Sequence, residues 1–228
     1  ERASYALADR IAVPSRMVAE SFAPWPELAA KLFVNPYGVD LAMFPRRPAG
    51  RRPGRRVLMV GGWSRRKGAD VLTEALRQVP GAQFVHVGPL GDVPWPGESV
   101  AGGGLVHHGP VDQGALAARY HAADVAVLAS REEGLALVQL QALACGLPLV
   151  ASDRTGILTV LEAVPELAER VRVVRAGDAD ALAAALEATL ADVAAGRIGE
   201  IDEAVRARLS WRAAAERYAA ALAAETGG

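Results

Sequence analysis

The segment Asp124–Asp153 constrains the fold of this chain more than any other part of the sequence. It begins with the unbroken apolar run DVAVLAS, ends near the run LVAS, and is apolar at most positions between them. Unbroken apolar runs are typical of strands that are covered on both faces, as in a parallel sheet. Gly146 and Pro148 mark the end of the intervening helix, since neither residue continues a helix well. The segment therefore predicts a strand, a helix over Leu135–Cys145 and a second strand.

Similar apolar runs recur along the chain and alternate with helical patterns. The predicted strands are Ile11–Val13, Leu32–Val34, Val57–Val60, Gln83–Val87, Leu105–His107, Asp124–Leu128, Leu149–Ala151 and Val171–Val174. The predicted helices are Gly68–Val79, Gln113–Ala122, Leu135–Cys145, Ala179–Ala195 and a terminal helix at 211–225. This alternation implies an α/β fold with a doubly wound, mostly parallel, Rossmann-like sheet. We expect residues 1–228 to form one such domain.

The composition excludes several classes of protein. A formal net charge of −1 and an aromatic content of 5% argue against a nucleic-acid-binding protein, which needs a basic surface or stacking side chains. The single cysteine, Cys145, excludes a disulfide framework and a zinc site made of cysteine pairs. The four histidines lack metal-binding spacing, no apolar run approaches the roughly 18 residues of a membrane span, and no signal peptide is visible. We therefore expect a cytoplasmic protein without a metal centre.

The loop after the third predicted strand carries the first candidate binding residues, because open α/β sheets bind ligands beyond the carboxyl ends of their strands. It reads GGWSRRKG and precedes a predicted helix. Gly61 and Gly62 allow a ligand to approach the backbone closely. Three consecutive cations follow at Arg65, Arg66 and Lys67, and cations beside a helix start suit a diphosphate. The order of residues differs from a Walker A loop, and the chain contains no G-x-G-x-x-G sequence.

The loop Arg131–Gly134 carries the second group of candidate residues, including Glu133. Carboxylates are favoured at a helix start because the amino-terminal end of the helix dipole is positive. The free backbone N–H groups at the same place can bind a phosphate. Two strand-following loops of the predicted sheet thus combine cations, a carboxylate and helix starts.

Residues 133–150 resemble the donor-site signature of retaining GT-B glycosyltransferases of family four. In that family a Glu, seven residues and a second Glu precede an ACGxPVV turn, and here Glu133 and Gln141 occupy the two positions. The loop with Lys67 and Gly68 is similar to the family's GRLSPEKG element, with Gly62 in place of its Arg. Residues 8–15 and 35–40 are similar to further elements, so the resemblance covers nearly the whole chain. It matches only the C-terminal, donor-binding half of such an enzyme.

The resemblance implies a nucleotide diphosphate sugar as donor substrate and no separate cofactor. It implies that Glu133 contacts the donor sugar and that Lys67 binds the diphosphate, with Arg65 or Arg66 in place of the missing Arg. Gln141 would hold the ribose more weakly than a carboxylate does, by about 1 kcal/mol. The other implied donor-binding positions are Gly61, Gly62, Gly88, Val111, Gly134, Leu135, Ala136 and Leu137. An acceptor glycan or lipid would be bound by an N-terminal domain that this sequence does not contain.

Two other interpretations of the whole chain remain open. The substitutions at Gly62 and Gln141 are compatible with a non-catalytic or drifted Rossmann-like module that binds partners instead of substrate. A weaker alternative is an epimerase or phosphorylase relative that shares the GT-B half.

The segment Pro45–Arg56 holds six arginines among prolines and glycines. Such a segment cannot pack as a core element, so it predicts a mobile basic surface loop. The alternative is a contact for an anionic lipid or an acidic acceptor, which would give the protein a peripheral contact with a membrane.

Overall fold

The computed structural model of the chain describes residues 2–96 and 103–223. The strands within these residues are β1 (Ile11–Val13), β2 (Leu32–Val34), β3 (Arg56–Val60), β4 (Gln83–Val87), β5 (Leu105–His108), β6 (Val125–Leu128), β7 (Leu149–Ser152) and β8 (Val171–Val174). The α-helices are α1 (Arg2–Leu7), α2 (Arg16–Glu20), α3 (Pro26–Ala29), α4 (Ala69–Leu76), α5 (Gln113–Ala122), α6 (Leu137–Ala144), α7 (Ile157–Ala163), α8 (Ala179–Ala194), α9 (Glu203–Ala207) and α10 (Trp211–Ala223). A 3₁₀ helix at Pro165–Arg170 follows α7.

Six strands form one parallel sheet in the order β5-β4-β3-β6-β7-β8. From β3 the chain continues to β4 and β5 on one side, whereas from β6 it continues to β7 and β8 on the other. This reversal makes the boundary between β3 and β6 the switch point of the sheet, where doubly wound sheets bind their ligands. The predicted doubly wound, Rossmann-like α/β fold is confirmed.

The six-stranded sheet is covered on both faces, as its apolar strands predicted. Successive side chains of a strand point to opposite faces. Leu58 and Val60 of β3 pack into a cluster with residues of α5, α6 and α7, whereas Val57 and Met59 pack into a cluster with residues of α4 and α8. Because burying a side chain of this size is worth about 1.5–3 kcal/mol, these two clusters hold the strand ends in place.

The strands β1 and β2 form a separate two-stranded parallel sheet. Its own small core contains Ile11, Val13, Phe22 and Leu28. The two strands were predicted correctly, but the apolar pattern contains no signal that separates them from the larger sheet. The helices α1, α2, α3, α7 and α9 were not predicted, because helices of four to seven residues are shorter than the window in which a helical period is visible.

The terminal helix α10 returns to the small sheet. It begins at Trp211, as predicted, and the predicted residues 224 and 225 lie outside the described residues. The Ser210 hydroxyl accepts a hydrogen bond from the backbone N–H of Ala213 at 3.1 Å and so caps the helix. A Cβ at Gly38 would lie 2.3 Å from the Trp211 nitrogen. Only glycine therefore fits at the point where the connection between the two sheets passes the start of α10.

The arginine-rich segment Pro45–Arg56 runs along the surface as a loop up to the start of β3, as predicted, and its mobility stays a prediction. The side chains of four of its six arginines form hydrogen bonds or ion pairs with the rest of the domain, namely Arg46, Arg51, Arg55 and Arg56. Arg51, for example, donates to the Asp124 carboxylate and to the carbonyls of His121 and Ala122. Arg47, Arg51 and Arg55 are partly buried, whereas Arg46, Arg52 and Arg56 are exposed, so half of the arginines of this segment face solvent.

Candidate functional site

Two loops predicted to form the donor site meet at the switch point. The loop after β3 carries Lys67, the loop after β6 carries Glu133, and Lys67 Nζ lies 2.5 Å from Glu133 Oε2. Their side chains are 14% and 18% exposed, so the pair is accessible to a ligand but partly shielded from water. Arg66 Nη1 donates to the same oxygen at 3.0 Å. The structure therefore places two cations on one carboxylate from loops that are far apart in sequence.

Arg65 and Gly62 differ from Arg66 in what they contribute to the site. Arg65 contributes its backbone: its N–H donates to the Asp92 carboxylate at 3.0 Å, and its carbonyl accepts from Arg131 at 2.7 Å. Of the two arginines that the sequence left as alternatives, Arg66 is the one that reaches Glu133. A Cβ at Gly62 would have no atom within 4 Å, so the site has space for the side chain that glycine lacks.

The position of Lys67 depends on the glycine that follows it. Gly68 has a φ of 72°, in the left-handed region, and a Cβ there would lie 2.0 Å from the Ala129 carbonyl oxygen. A residue with a side chain cannot approach the end of β6 this closely without displacing it. Gly68 thus joins the two loops at the start of α4, and Lys67 faces Glu133 as a result.

An ion pair between Asp70 and Arg131 ties the same two loops together. Arg131 Nη1 and Nη2 donate to the two Asp70 carboxylate oxygens at 2.6 and 2.9 Å. Burial alone would raise the pKa of Asp70, but the hydrogen bonds and the charge of Arg131 outweigh it and lower that pKa. The Asp70 hydrogen bonds in turn raise the pKa of Arg131. Sequence reasoning missed this pair, because opposite charges 61 residues apart carry no signal of contact.

The loop between β7 and α7 lies beneath the Glu133 loop. The backbone N–H of Glu133 donates to the Arg154 carbonyl at 2.9 Å. Gly156 has a φ of 71°, and a Cβ there would lie 2.3 Å from the Gly134 carbonyl oxygen. Gln139, a fully buried residue of α6, donates through Nε2 to the Thr155 carbonyl at 2.7 Å. One backbone hydrogen bond, one side-chain hydrogen bond and one close approach of a glycine thus join the loop after β7 to the residues around Glu133.

Gln141 is 5% exposed and already has a partner within the chain. Its Oε1 accepts a hydrogen bond from the Tyr120 hydroxyl at 2.9 Å. Burial raises the pKa of Tyr120, so this hydroxyl remains a donor. The predicted ribose contact would have to share this acceptor oxygen or use the amide nitrogen, and it stays a prediction.

The strand ends next to the switch point are joined through Gly61 and Gly88. Gly88 has a φ of 145°, and a Cβ there would lie 2.1 Å from the Gly61 carbonyl oxygen. Gly88 also donates its N–H to the His108 carbonyl at 3.1 Å. The buried His86 lies 2.7 Å through Nε2 from the Gly61 carbonyl, which can only accept, so Nε2 carries the proton. Burial and the nearby charge of His107 lower the pKa of His86 despite this hydrogen bond.

The remaining predicted donor-binding positions differ in what they can offer a ligand. Leu135 and Ala136 are 7% and 5% exposed, so their backbone rather than their side chains is available. Leu137, the first residue of α6, is 38% exposed. Val111 packs partly against the core. A Cβ at Gly134 would lie 3.0 Å from a methyl group of Val18, so the small amino-terminal unit borders the site.

No group of three or more His, Cys, Asp and Glu side chains within 2–96 and 103–223 is placed to hold a metal ion. In the same ranges, no helix has the length and hydropathy needed to cross a bilayer.

The chain can be placed in a protein family by comparison with known proteins. Residues 54–192, more than half of the 228 residues, match the family model described as Glycosyl transferases group 1. The chain belongs to this family. The match confirms the resemblance stated from the sequence, and it favours a transferase over an epimerase or phosphorylase relative.

Two curated glycosyltransferases resemble parts of the chain. It is 48% identical over 52 residues to D-inositol 3-phosphate glycosyltransferase 2 of Catenulispora acidiphila. It is 34% identical over 116 residues to D-inositol 3-phosphate glycosyltransferase of Xylanimonas cellulosilytica. These alignments cover 23% and 46% of this chain, and only 12% and 27% of the two relatives.

Solved structures extend the similarity to almost the whole fold. Sucrose-phosphate synthase from Thermosynechococcus elongatus aligns with a TM-score of 0.77 and 30% identity, over 98% of this chain and 61% of that one. HepE of Anabaena, in complex with UDP, aligns with a TM-score of 0.74 and 17% identity, over 95% and 64%. The chain spans less than two thirds of these proteins and has the GT-B, Rossmann-like fold of one of their halves.

Proposed function

We propose that this chain binds a nucleotide diphosphate sugar at the Lys67–Glu133 site and forms the donor half of a retaining hexosyltransferase. The observation that carries the proposal is the contact of Lys67 and Arg66 with a single carboxylate at the switch point of the sheet. The acceptor, a glycan or a lipid, would be bound by an N-terminal domain outside this sequence. We expect the isolated half to bind donor without transferring sugar, and we place the whole enzyme in the cytoplasm.

The ion pair explains how the site would change when a donor binds. Without a ligand, Lys67 and Glu133 neutralise each other, so neither charge is left unpaired in a partly buried position. A diphosphate would attract Lys67 and Arg66, because charge-assisted hydrogen bonds to phosphate are among the strongest that these side chains form. Glu133 would then be free to accept hydrogen bonds from the sugar hydroxyls. When the cations leave Glu133 for the diphosphate, the same rearrangement would thus position the diphosphate and the sugar of the donor.

The same groups suit the chemistry of transfer. As the bond between sugar and diphosphate breaks, negative charge develops on the leaving phosphate, and Lys67 and Arg66 would stabilise it. Glu133 would orient the sugar toward the acceptor, and orientation of the reactants accounts for a large part of the rate in such reactions. The related structures of HepE with UDP and with UDP-glucose, although they share only the fold with this chain, support a uridine nucleotide as the first donor to test.

Calorimetry with UDP, GDP, ADP and their glucose conjugates tests the proposal. We expect binding of at least one nucleotide, weakened about 10- to 100-fold by Lys67→Met, since a charge-assisted contact is worth about 1.5–3 kcal/mol. Arg77→Gln removes a positive charge from the far end of α4, where Arg77 pairs with the exposed Glu74, and should bind like the unmodified chain. Absence of binding with all of these ligands, or equal binding by the Lys67 variant, would refute the proposal.

A second candidate function is a Rossmann-like module without a nucleotide donor. It is favoured by the glycine at position 62 and by the engagement of Gln141 with Tyr120. The double variant Gly62→Arg with Gln141→Glu separates the two candidates. If the module interpretation holds, the unmodified chain binds no nucleotide and the double variant gains affinity. If the unmodified chain already binds at micromolar concentration, the module interpretation is excluded.

A further inference from the structure

A cavity lies at the edge of the six-stranded sheet opposite the Lys67–Glu133 site. Its volume is about 400 Å³, and its walls include Asp124, which precedes β6, and Gly146, which precedes β7. The arginine-rich segment and the residues after α8 close the other sides. A cavity of this size is within the range of small-molecule sites, which are about 300–1,000 Å³. Nothing in the proposed donor function uses this cavity.

The charges in this amino-edge cavity are unbalanced. Arg46, Arg47 and Arg51 line it together with two acids, Asp124 and Glu200. Glu200 pairs with Arg46 at 3.2 Å. Asp124 pairs with Arg51 at 2.8 Å and also accepts backbone N–H groups, so its oxygens are already engaged. Each of the two acids thus forms an ion pair with a different arginine, and Arg47 is the lining arginine that takes part in neither pair.

Arg47 is held in place by its backbone and not by its guanidinium. Its N–H donates to the Cys145 carbonyl at 3.0 Å, at the end of α6. Its half-buried side chain forms no hydrogen bond or ion pair with any residue in the described parts of the chain. The five N–H donors of an arginine normally form hydrogen bonds to protein acceptors or to water. A half-buried guanidinium that faces a cavity can therefore donate to a ligand in that cavity.

A fourth arginine adds positive charge next to the cavity. Arg170 is 9% exposed and donates to the carbonyls of Gly146 and Gly199, both of which line the cavity. Burial and then the charge of Arg51 lower the pKa of Arg47, while the charges of Asp124 and Glu200 raise it by less. Burial and the charge of Arg47 lower the pKa of Arg170, and the charge of Glu169 opposes this shift. The nearby acids thus offset only part of the repulsion among these arginines, and a bound anion would offset more of it.

We infer that this cavity binds a phosphate monoester group at Arg47. The planar, forked guanidinium matches phosphate oxygens better than a lysine does, and Arg47 can offer a bidentate contact because its side-chain donors have no partner within residues 2–96 and 103–223. Arg51, whose N–H groups already donate to Asp124 and to backbone carbonyls, adds positive charge nearby. Val193, Ala194 and Ile198 supply an apolar wall for the organic part of the ligand. A soluble phosphorylated compound and the headgroup of a phosphatidic acid share this chemistry, and the test below separates the two sources.

Inorganic phosphate is the first probe, titrated by thermal unfolding at constant ionic strength so that general screening does not change. The unmodified chain should be stabilised, and Arg47→Gln should weaken phosphate binding about tenfold or more, the value of one charge-assisted contact. Arg52→Gln is the matched control, because Arg52 belongs to the same segment, is exposed and does not line the cavity. Arg47→Lys should retain part of the binding, which separates loss of the charge from loss of the fold.

Lys67→Met distinguishes this cavity from the donor site. It should weaken nucleotide binding and remove only the part of the phosphate response that arises at the donor site, and Arg47→Gln in the Lys67→Met background should abolish the rest. Absence of a phosphate response in Lys67→Met, or an equal response in Lys67→Met and in the double variant, would each overturn the inference. Sedimentation with vesicles of phosphatidic acid in phosphatidylcholine then identifies the source. Binding that depends on Arg47 indicates a lipid, and a response to phosphate without vesicle binding indicates a soluble compound.

Discussion

The two edges of the six-stranded sheet differ in whether their cations are paired with carboxylates. At the carboxyl edge, Lys67 and Arg66 share the carboxylate of Glu133, so the charges are balanced before any ligand arrives. At the amino edge, Asp124 and Glu200 each pair with another arginine, and the Arg47 guanidinium faces a cavity with no hydrogen-bond or ion-pair partner among residues 2–96 and 103–223. At the carboxyl edge, a ligand would replace Glu133 as the partner of the two cations. At the amino edge, a ligand would bind Arg47 without displacing an ion pair. A cluster of cations thus indicates a different kind of site according to where its counter-charges lie.

The largest expected effect concerns the close contact between Gly68 and the Ala129 carbonyl, which joins two loops at the carboxyl edge. Gly68→Ala should lower the free energy of unfolding by at least about 2 kcal/mol, because it adds left-handed strain to a clash with the Ala129 carbonyl. Gly114→Ala in α5, where a Cβ meets no atom within 4 Å, is the control and should be neutral or slightly stabilising. Urea unfolding followed by circular dichroism measures both. Equal values for the two variants would show that the loops do not need this contact.

The next effect tests whether Arg66 replaces the arginine that is missing at position 62. Arg66→Gln should weaken nucleotide binding about tenfold, since it removes one charge-assisted contact to phosphate. Arg65→Gln removes the same charge from the neighbouring residue, whose backbone alone holds the loop. Its affinity in calorimetry should stay within about twofold. The reverse order of the two variants would assign the diphosphate contact to Arg65.

A smaller effect is expected from Gln141→Glu. A carboxylate would accept from the Tyr120 hydroxyl and still offer an oxygen to the ribose, so donor affinity should rise by about 1 kcal/mol, or about fivefold. Gln113→Glu makes the same change at an exposed position at the start of α5 and should leave the affinity unchanged. A fall in affinity with Gln141→Glu would mean that the ribose is held elsewhere.

The smallest effect is a pH dependence of stability at the carboxyl edge. The pKa of His86 is lowered in the folded chain by burial and by the charge of His107, so the unfolded chain takes up this proton at a higher pH than the folded chain does. Stability from this source is complete above the ordinary histidine pKa of about 6.5 and falls as the pH decreases below it. His86→Gln should flatten the decrease in the thermal unfolding temperature between about pH 7.5 and 5.5. An unchanged slope in the His86 variant would contradict this assignment.

Much of the fold was predictable because it depends on local signals. All eight strands were found from their apolar runs, and four of them have the predicted bounds. In α4, α5, α6 and α8 the period of the apolar positions is long enough to see, and the ends differ from the prediction by three residues or fewer. The separation of β1 and β2 into their own sheet was not predictable, because strand pairing depends on contacts between distant residues. The short helices were missed because their packing, and not their sequence period, stabilises them.

The candidate site was predictable in its residues but not in its pairings. Lys67 and Glu133 were identified because each follows an apolar strand and carries a charge at a helix start. The choice of Arg66 over Arg65, the Arg131–Asp70 link and the partner of Gln141 required coordinates. Neighbouring arginines in a turn point in different directions, and sequence alone does not state which one reaches across to the next loop.

The amino-acid sequence by itself determined the layers of this protein, the polarity of its sheet and the edge at which a donor would bind. These follow from local patterns of apolar residues and from the rule that the carboxyl ends of parallel strands share one edge. Only the tertiary structure decided which charges cancel. The energy of an ion pair depends on distances between atoms from separate loops, so Glu133 contacts two cations, whereas Arg47 forms no ion pair within the part of the chain that the structure describes.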